Sequence, residues 1–170
     1  TDTYTIATLN VDAQLETVTI QNATAEGLKI QYALEPILQN IYVLSCGTGM
    51  DFDQVVFPLI YALATGNGVN ANWNEVSGYE VRFSAFDDST TGNGITMTSC
   101  GNATFFDSSV GGNTGDGINM TDCTFNTFVS NTMDSNGGQG IEFVSGCDDN
   151  QFMGTNAINN TSDGIKLTAT

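Results

Sequence analysis

The residues best suited to acid/base chemistry are two adjacent aspartate pairs, Asp87-Asp88 in FDDSTTGNG and Asp148-Asp149 in CDDNQF. A carboxyl group becomes a general acid near neutral pH only when burial or a like charge raises its pKa. Both pairs sit among Ser, Thr, Asn, Gln and Gly, which is turn composition, so solvent is expected to keep these carboxylates ionised. The other reagents of catalysis are scarce. No His is present, which removes the commonest proton shuttle, the Ser-His and Cys-His nucleophile systems and the usual zinc ligand. Lys29, Arg82 and Lys166 are the only basic residues and are scattered along the chain, so the sequence places none of them beside clustered carboxylates.

Metal sites are no better supplied. Calcium takes several oxygens, but the residue before each recurring Gly-Ile pair is Asn93, Asp116, Gln139 or Asp163, which makes no column of carboxylates. The four cysteines, Cys46, Cys100, Cys123 and Cys147, contain no C-x-x-C pair. No catalytic residue, cofactor or metal is expected, and the chain reads as non-enzymatic. Three basic residues against nineteen acidic ones give a net charge of −16 and a pI near 4.1. Nucleic acid and anionic membranes are therefore disfavoured partners. No charged-then-apolar leader and no run of roughly 18 apolar residues appears, so neither signal peptide nor membrane span is expected.

A clock runs through the second half. The pairs Gly94-Ile95, Gly117-Ile118, Gly140-Ile141 and Gly164-Ile165 are spaced 23, 23 and 24 apart. Cys100, Cys123 and Cys147 keep the same interval, as do Phe105, Phe128 and Phe152. Apolar residues two apart, as in Ile95-Thr-Met97 and Ile118-Asn-Met120, indicate strands with one buried face, which turns Thr96, Asn119, Glu142 and Lys166 outward. Clusters such as GGNTGD and DSNGGQ supply the corners. Short strands and Asn/Gly corners repeating every 23 or so residues match one coil of a parallel β-helix.

These copies, GNGITMTSC and GDGINMTDC above all, resemble the rungs of right-handed parallel β-helix proteins, a class that includes pectate lyases, alginate epimerases, phage tailspikes and some phage capsid decoration proteins. The resemblance implies an all-β, single-stranded parallel solenoid of about seven coils, in which Ile95, Ile118, Ile141 and Ile165 form a core ladder and Cys100, Cys123 and Cys147 a column of thiols. One domain over residues 1–170 is expected: an irregular segment at 1–26, irregular coils at 27–91 and regular coils at 92–170. The match is weaker upstream, where Gly27-Leu28-Lys-Ile30 and Gly49-Met50-Asp-Phe52 are 22 apart. Leu34, Ile37, Leu38 and Ile41 also fit helix spacing, so strand and helix compete there, with strand favoured by the period on both sides. The Asp-Pro-His-Glu motif of alginate epimerases is absent.

Two upstream runs, one through Ile41, Tyr42, Val43 and Leu44 and one through Val55, Val56, Phe57, Leu59, Ile60 and Tyr61, are apolar almost without interruption. A strand apolar on both faces needs cover on both. These ten residues are therefore the expected interface, with threefold self-association implied by the tailspike-like resemblance. The reading that follows is a homotrimeric capsid decoration protein on a virion surface. A carbohydrate-binding spike or adhesin, presenting Trp73, Tyr79 and Phe83 to a surface polysaccharide, is the alternative, with a polysaccharide lyase, hydrolase or epimerase behind it.

Overall fold

The computed structural model describes residues 4–7 and 14–168. Residues 1–3, 8–13 and 169–170, which include part of the segment expected to be irregular, lie outside the described residues. The segment 118–140 shows how one coil is made. Ile118–Thr121 is a strand with Ile118 and Met120 inward; Asp122 then takes a left-handed φ of 53° and Cys123 turns in. The device recurs within this coil at Phe125 before Asn126, Ser130 before Asn131 and Ser135 before Asn136. A left-handed conformation costs a non-glycine residue about 1–2 kcal/mol. Here the turned amide is aimed at the next coil and bonded there: Asp122 N donates to Ser145 O at 2.7 Å and Ser130 N to Met153 O at 2.8 Å. Twenty of the described non-glycine residues adopt this conformation, so the corners are made mostly without glycine.

Stacking such coils gives parallel sheets. Eight strands, from Tyr4–Ala7 through Glu26–Gln31, Thr48–Asp53, Val69–Asn74, Ile95–Thr98, Ile118–Thr121 and Ile141–Ser145 to Ile165–Leu167, form the first face. An eleven-stranded sheet forms the rest. It begins with the long strands Gln14–Gln21, Ile37–Leu44 and Leu59–Thr65 and then divides: Leu59 and Ile60 pair with Glu80–Arg82, while Leu63 to Thr65 pair with Ala85–Asp87. From that coil onward the sheet has a second and a third face. The strand Gln14–Gln21 lies inside the segment expected to be irregular.

The competing helix spacing has a physical origin. Leu38 and Ile41 both point inward although three residues apart, because Asn40 is an extra residue with φ 53° and the pairing with Leu59–Thr65 slips between them. A β-bulge thus places inward residues at a helix-like interval. The interior holds Ile95, Ile118, Ile141, Cys100 and Cys123, whereas Cys147 is half-buried and Ile165 is exposed. All four cysteines are free thiols. Cys123 Sγ donates to Thr121 O at 3.2 Å, and its contact with Cys100 together with burial raises its pKa. Trp73 is fully buried, stacked between Phe52 and Phe105 and edge-on to Tyr79 and Phe86.

The recurring glycine is needed for space, not for its φ. A Cβ on Gly117 would lie 2.5 Å from Gly140 O and 2.8 Å from the Asn136 amide nitrogen. That amide belongs to a ladder: Asn136 Nδ2 donates to Val110 O and to Asn160 Oδ1, and its Oδ1 accepts from Asn113 N. Gly94 stands in the same way against Asn113. One coil inverts the pair. Asn70 occupies the glycine position and Ser89 the asparagine position, and Asn70 donates to Asp87 O and Asn113 Oδ1 while accepting from Asn67.

This exchange is testable by a double-mutant cycle. Asn70→Gly alone should lower the free energy of urea unfolding by about 1–3 kcal/mol, the cost of orphaning buried polar partners. Adding Ser89→Asn should recover more than half of the loss; strict additivity would show that the two positions do not share one set of hydrogen bonds.

Candidate functional site

On the first face, outward residues stack in one column: Lys29, Asp51, Asn72, Thr96, Asn119, Glu142 and Lys166. Stacking joins basic residues to carboxylates distant in sequence. Lys29 Nζ lies 2.8 Å from Asp51 and 3.7 Å from Glu26, and Lys166 Nζ lies 2.6 Å from Glu142. Their hydrogen bonds to Asp51 and Glu142 hold both ammonium groups above the usual lysine pKa, which unfits them as bases. Arg82 is bonded to Glu80 at 2.7 Å. All three basic residues of the chain are thus paired with carboxylates. The carboxylates are also tied by amides: Asn72 donates to Asp51 and Asn74 to Asp53, each at 2.8 Å.

The ten residues expected at an interface divide by face. Ile41, Val43, Val55 and Ile60 point into the core with no exposed surface, so they cannot touch a partner in this fold. Tyr42 and Phe57 are exposed, and Leu44, Val56, Leu59 and Tyr61 are half-buried. Of the three aromatic residues expected to face a glycan, Trp73 and Tyr79 are interior, and burial raises the Tyr79 phenol well above its ordinary pKa. Phe83 alone is outside, 64% exposed on a corner with φ 46°. It stacks on Tyr61 at 6.4 Å and meets Phe106 edge-on at 5.9 Å. Tyr42, Tyr61, Phe83 and Asn40 line a hollow of about 210 Å³.

Next to this hollow, the third face carries Asp87, Asp88 and Asp134. Register places Thr65 beside Asp87, and Gly111 beside Asp134. Asp87 Oδ1 accepts from Gly111 N at 2.7 Å, so Asp87, Gly111 and Asp134 occupy successive coils of one column. Burial raises the Asp87 pKa above its ordinary value; the hydrogen bonds from Gly111 and Ser109 oppose this and the charge of Asp88 adds to it. Asp134 accepts from Ser135 Oγ at 2.9 Å and Asn159 Nδ2 at 3.0 Å. Gly111 leaves no side chain between the two carboxylates, whose backbones stand about 10 Å apart at two coil spacings. The groove they share has a volume of about 310 Å³. The expectation that Asp87 is a fully solvated carboxylate is corrected on this point, whereas Asp148 and Asp149 are exposed. The clock itself carried the signal: 87, 111 and 134 differ by 24 and 23, but adjacency alone singled out Asp87-Asp88. Among the described residues no group of three or more His, Cys, Asp or Glu side chains is placed to hold a metal ion, and no helix is long and apolar enough to cross a membrane.

The family described as right handed beta helix region matches residues 2–170. A search of curated proteins finds no match. Among solved structures, the periplasmic alginate epimerase AlgG superposes with a TM-score of 0.80 at 14% identity, over 85% of this chain and 35% of that one. The enzymatically active domain of bacteriophage CBA120 tailspike protein 2 superposes with a TM-score of 0.64 at 12% identity, over 89% of this chain and 28% of that one. The chain therefore spans about a third of the proteins whose fold it shares. The expectation of a non-enzymatic protein is overturned here, because the shared architecture is that of an epimerase and of a tailspike's enzymatic domain. Neither is a capsid decoration protein, so these likenesses lend that role no support.

The raised Asp87 pKa fixes a sign. Folding disfavours the ionised carboxylate, so Asp87 lowers stability above its folded pKa and is neutral below the unfolded one. Asp87→Asn should therefore raise the urea midpoint relative to wild type at pH 7, and this advantage should shrink as pH falls through the carboxylate range. Carboxyl NMR showing Asp87 at or below the ordinary aspartate pKa would contradict it.

Proposed function

The chain belongs to the right-handed β-helix family, and from that premise we propose that it is a carbohydrate-active protein that lays a polysaccharide along its third face and hydrolyses it between Asp87 and Asp134. The observation that carries the reading is the pair itself: a carboxyl group with a raised pKa two coils from a second carboxyl group, with only the Cβ-less Gly111 between them. Inverting glycosidases separate their two carboxyl groups by about 6.5–9.5 Å, which leaves room for a water molecule. In that arrangement Asp87, whose pKa burial raises, gives a proton to the glycosidic oxygen as the C–O bond breaks. Asp134 takes a proton from the water that attacks the anomeric carbon from the opposite side. The two fold likenesses support carbohydrate chemistry in general; the lack of His and of Asp-Pro-His-Glu argues against epimerisation by the route of alginate epimerases.

The outward residue Leu59, which does not line the hollow, favours a second reading of the neighbouring surface, the homotrimer expected from the apolar runs. Sedimentation equilibrium decides this: a species of three times 18.0 kDa that dissociates on Leu59→Asp supports it, and a single-chain mass removes it.

For the hydrolytic site, Asp87→Asn and Asp134→Asn should each lower kcat on an accepted glycan by about 10²–10⁴-fold, the usual worth of a general acid or base. NMR of the fresh product should show the inverted anomer. Undiminished turnover in both variants removes the assignment.

A further inference from the structure

We infer that the glycan is uncharged, not a polyuronate, and that Tyr42, Tyr61 and Phe83 bracket one of its sugar rings; this rests on the glycan reading above. The first argument is electrostatic. A uronate carboxylate is best bound by a cation, but Lys29 is bonded to Asp51, Arg82 through Nε to Glu80 and Lys166 to Glu142, and none of the three lines the groove or the hollow. The groove is lined by Asp87, Asp88 and Asp134, within a chain of net charge −16. A polyanion would approach against this field at every coil. An uncharged chain of hydroxyls meets no such barrier, and the same carboxylates accept its hydrogen bonds.

The second argument is the shape of the aromatic hollow. Phe83 would be expected to withdraw from water, yet the left-handed corner presents it outward, and its amide is bonded to Phe106 O at 3.1 Å. Tyr61 leans on it at an interplanar angle of 26°, and Tyr42 and Asn40 also line the hollow. Apolar ring faces with phenol and amide groups at the rim suit a sugar, whose C–H face is apolar and whose edge carries hydroxyls.

The third argument is continuity. Tyr42 pairs with Leu63, Leu63 with Ala85 and Ala85 with Ser109, and Ser109 lines the aspartate groove. Hollow and groove therefore follow one another along the solenoid axis on the same face, so one extended glycan can occupy both.

Native affinity gels of the whole chain containing dextran, mannan or mixed-linkage β-glucan, with alginate and polygalacturonate as the charged arms, test this. At least one uncharged glycan should retard the protein, and Tyr61→Ala and Phe83→Ala should each weaken retardation by about tenfold. Phe83 is exposed, so unchanged melting of Phe83→Ala serves as the folding control. Equal or stronger retardation by either polyuronate, retention unaltered in both aromatic variants, or no retardation by any uncharged glycan overturns the inference. If Asp87→Asn and Asp134→Asn still cleave, the hydrolytic assignment fails while the aromatic site stands.

Discussion

The structure depends on the hydrogen-bonded spacing between coils, about 4.8 Å, which every position must respect with its counterpart above and below. It sets what each column can hold. A side chain stacked on its own kind at that distance must be flat, small or able to bond its neighbour. Phenylalanine rings meet the demand by lying parallel, with centroids 4.9 Å apart for Phe105 and Phe128 and 5.0 Å for Phe128 and Phe152. Asparagine meets it by using its oxygen for one coil and its nitrogen for another, and cysteine by taking little room. The missing Cβ of the glycine column follows from the same demand, since the adjacent asparagine amide fills that volume.

Departures from the repeat are local and compensated. The bulge at Asn40 adds a residue yet returns the strand to register by Ile41. The coil with Asn70 and Ser89 relocates its amide without losing a bond to the next coil. The long strands divide after Leu59–Thr65, which creates the corner on which Phe83 stands and the third face on which Asp87 stands. The features proposed for recognition therefore lie where the solenoid changes cross-section.

This explains which parts of the molecule could be read in the sequence. Ile, Met, Phe and Cys markers in residues 94–147 point inward, where the environment is the same in each coil, and their interval alone specifies the fold. Outward residues carry no such redundancy. Lys29 and Asp51, or Asp87 and Asp134, meet only because coils stack, so their proximity is visible only after the period is used as a coordinate. Trp73 and Tyr79 were misplaced on the surface for a different reason. They flank the corner containing the left-handed residues Glu75 and Gly78, which turns both side chains inward, and large aromatic residues in an irregular coil give no periodic cue.

The buried tryptophan has an optical consequence. Trp73 is the single tryptophan of the chain, its Nε1–H has no hydrogen-bond partner among the described residues, and the rings of Tyr79 and Phe86 stand edge-on to it. An indole so dry emits at short wavelength and shifts to the red only when water reaches it. Intrinsic fluorescence of this molecule therefore reports on one coil, near the point where the sheet divides, and is silent on fraying at either end of the solenoid.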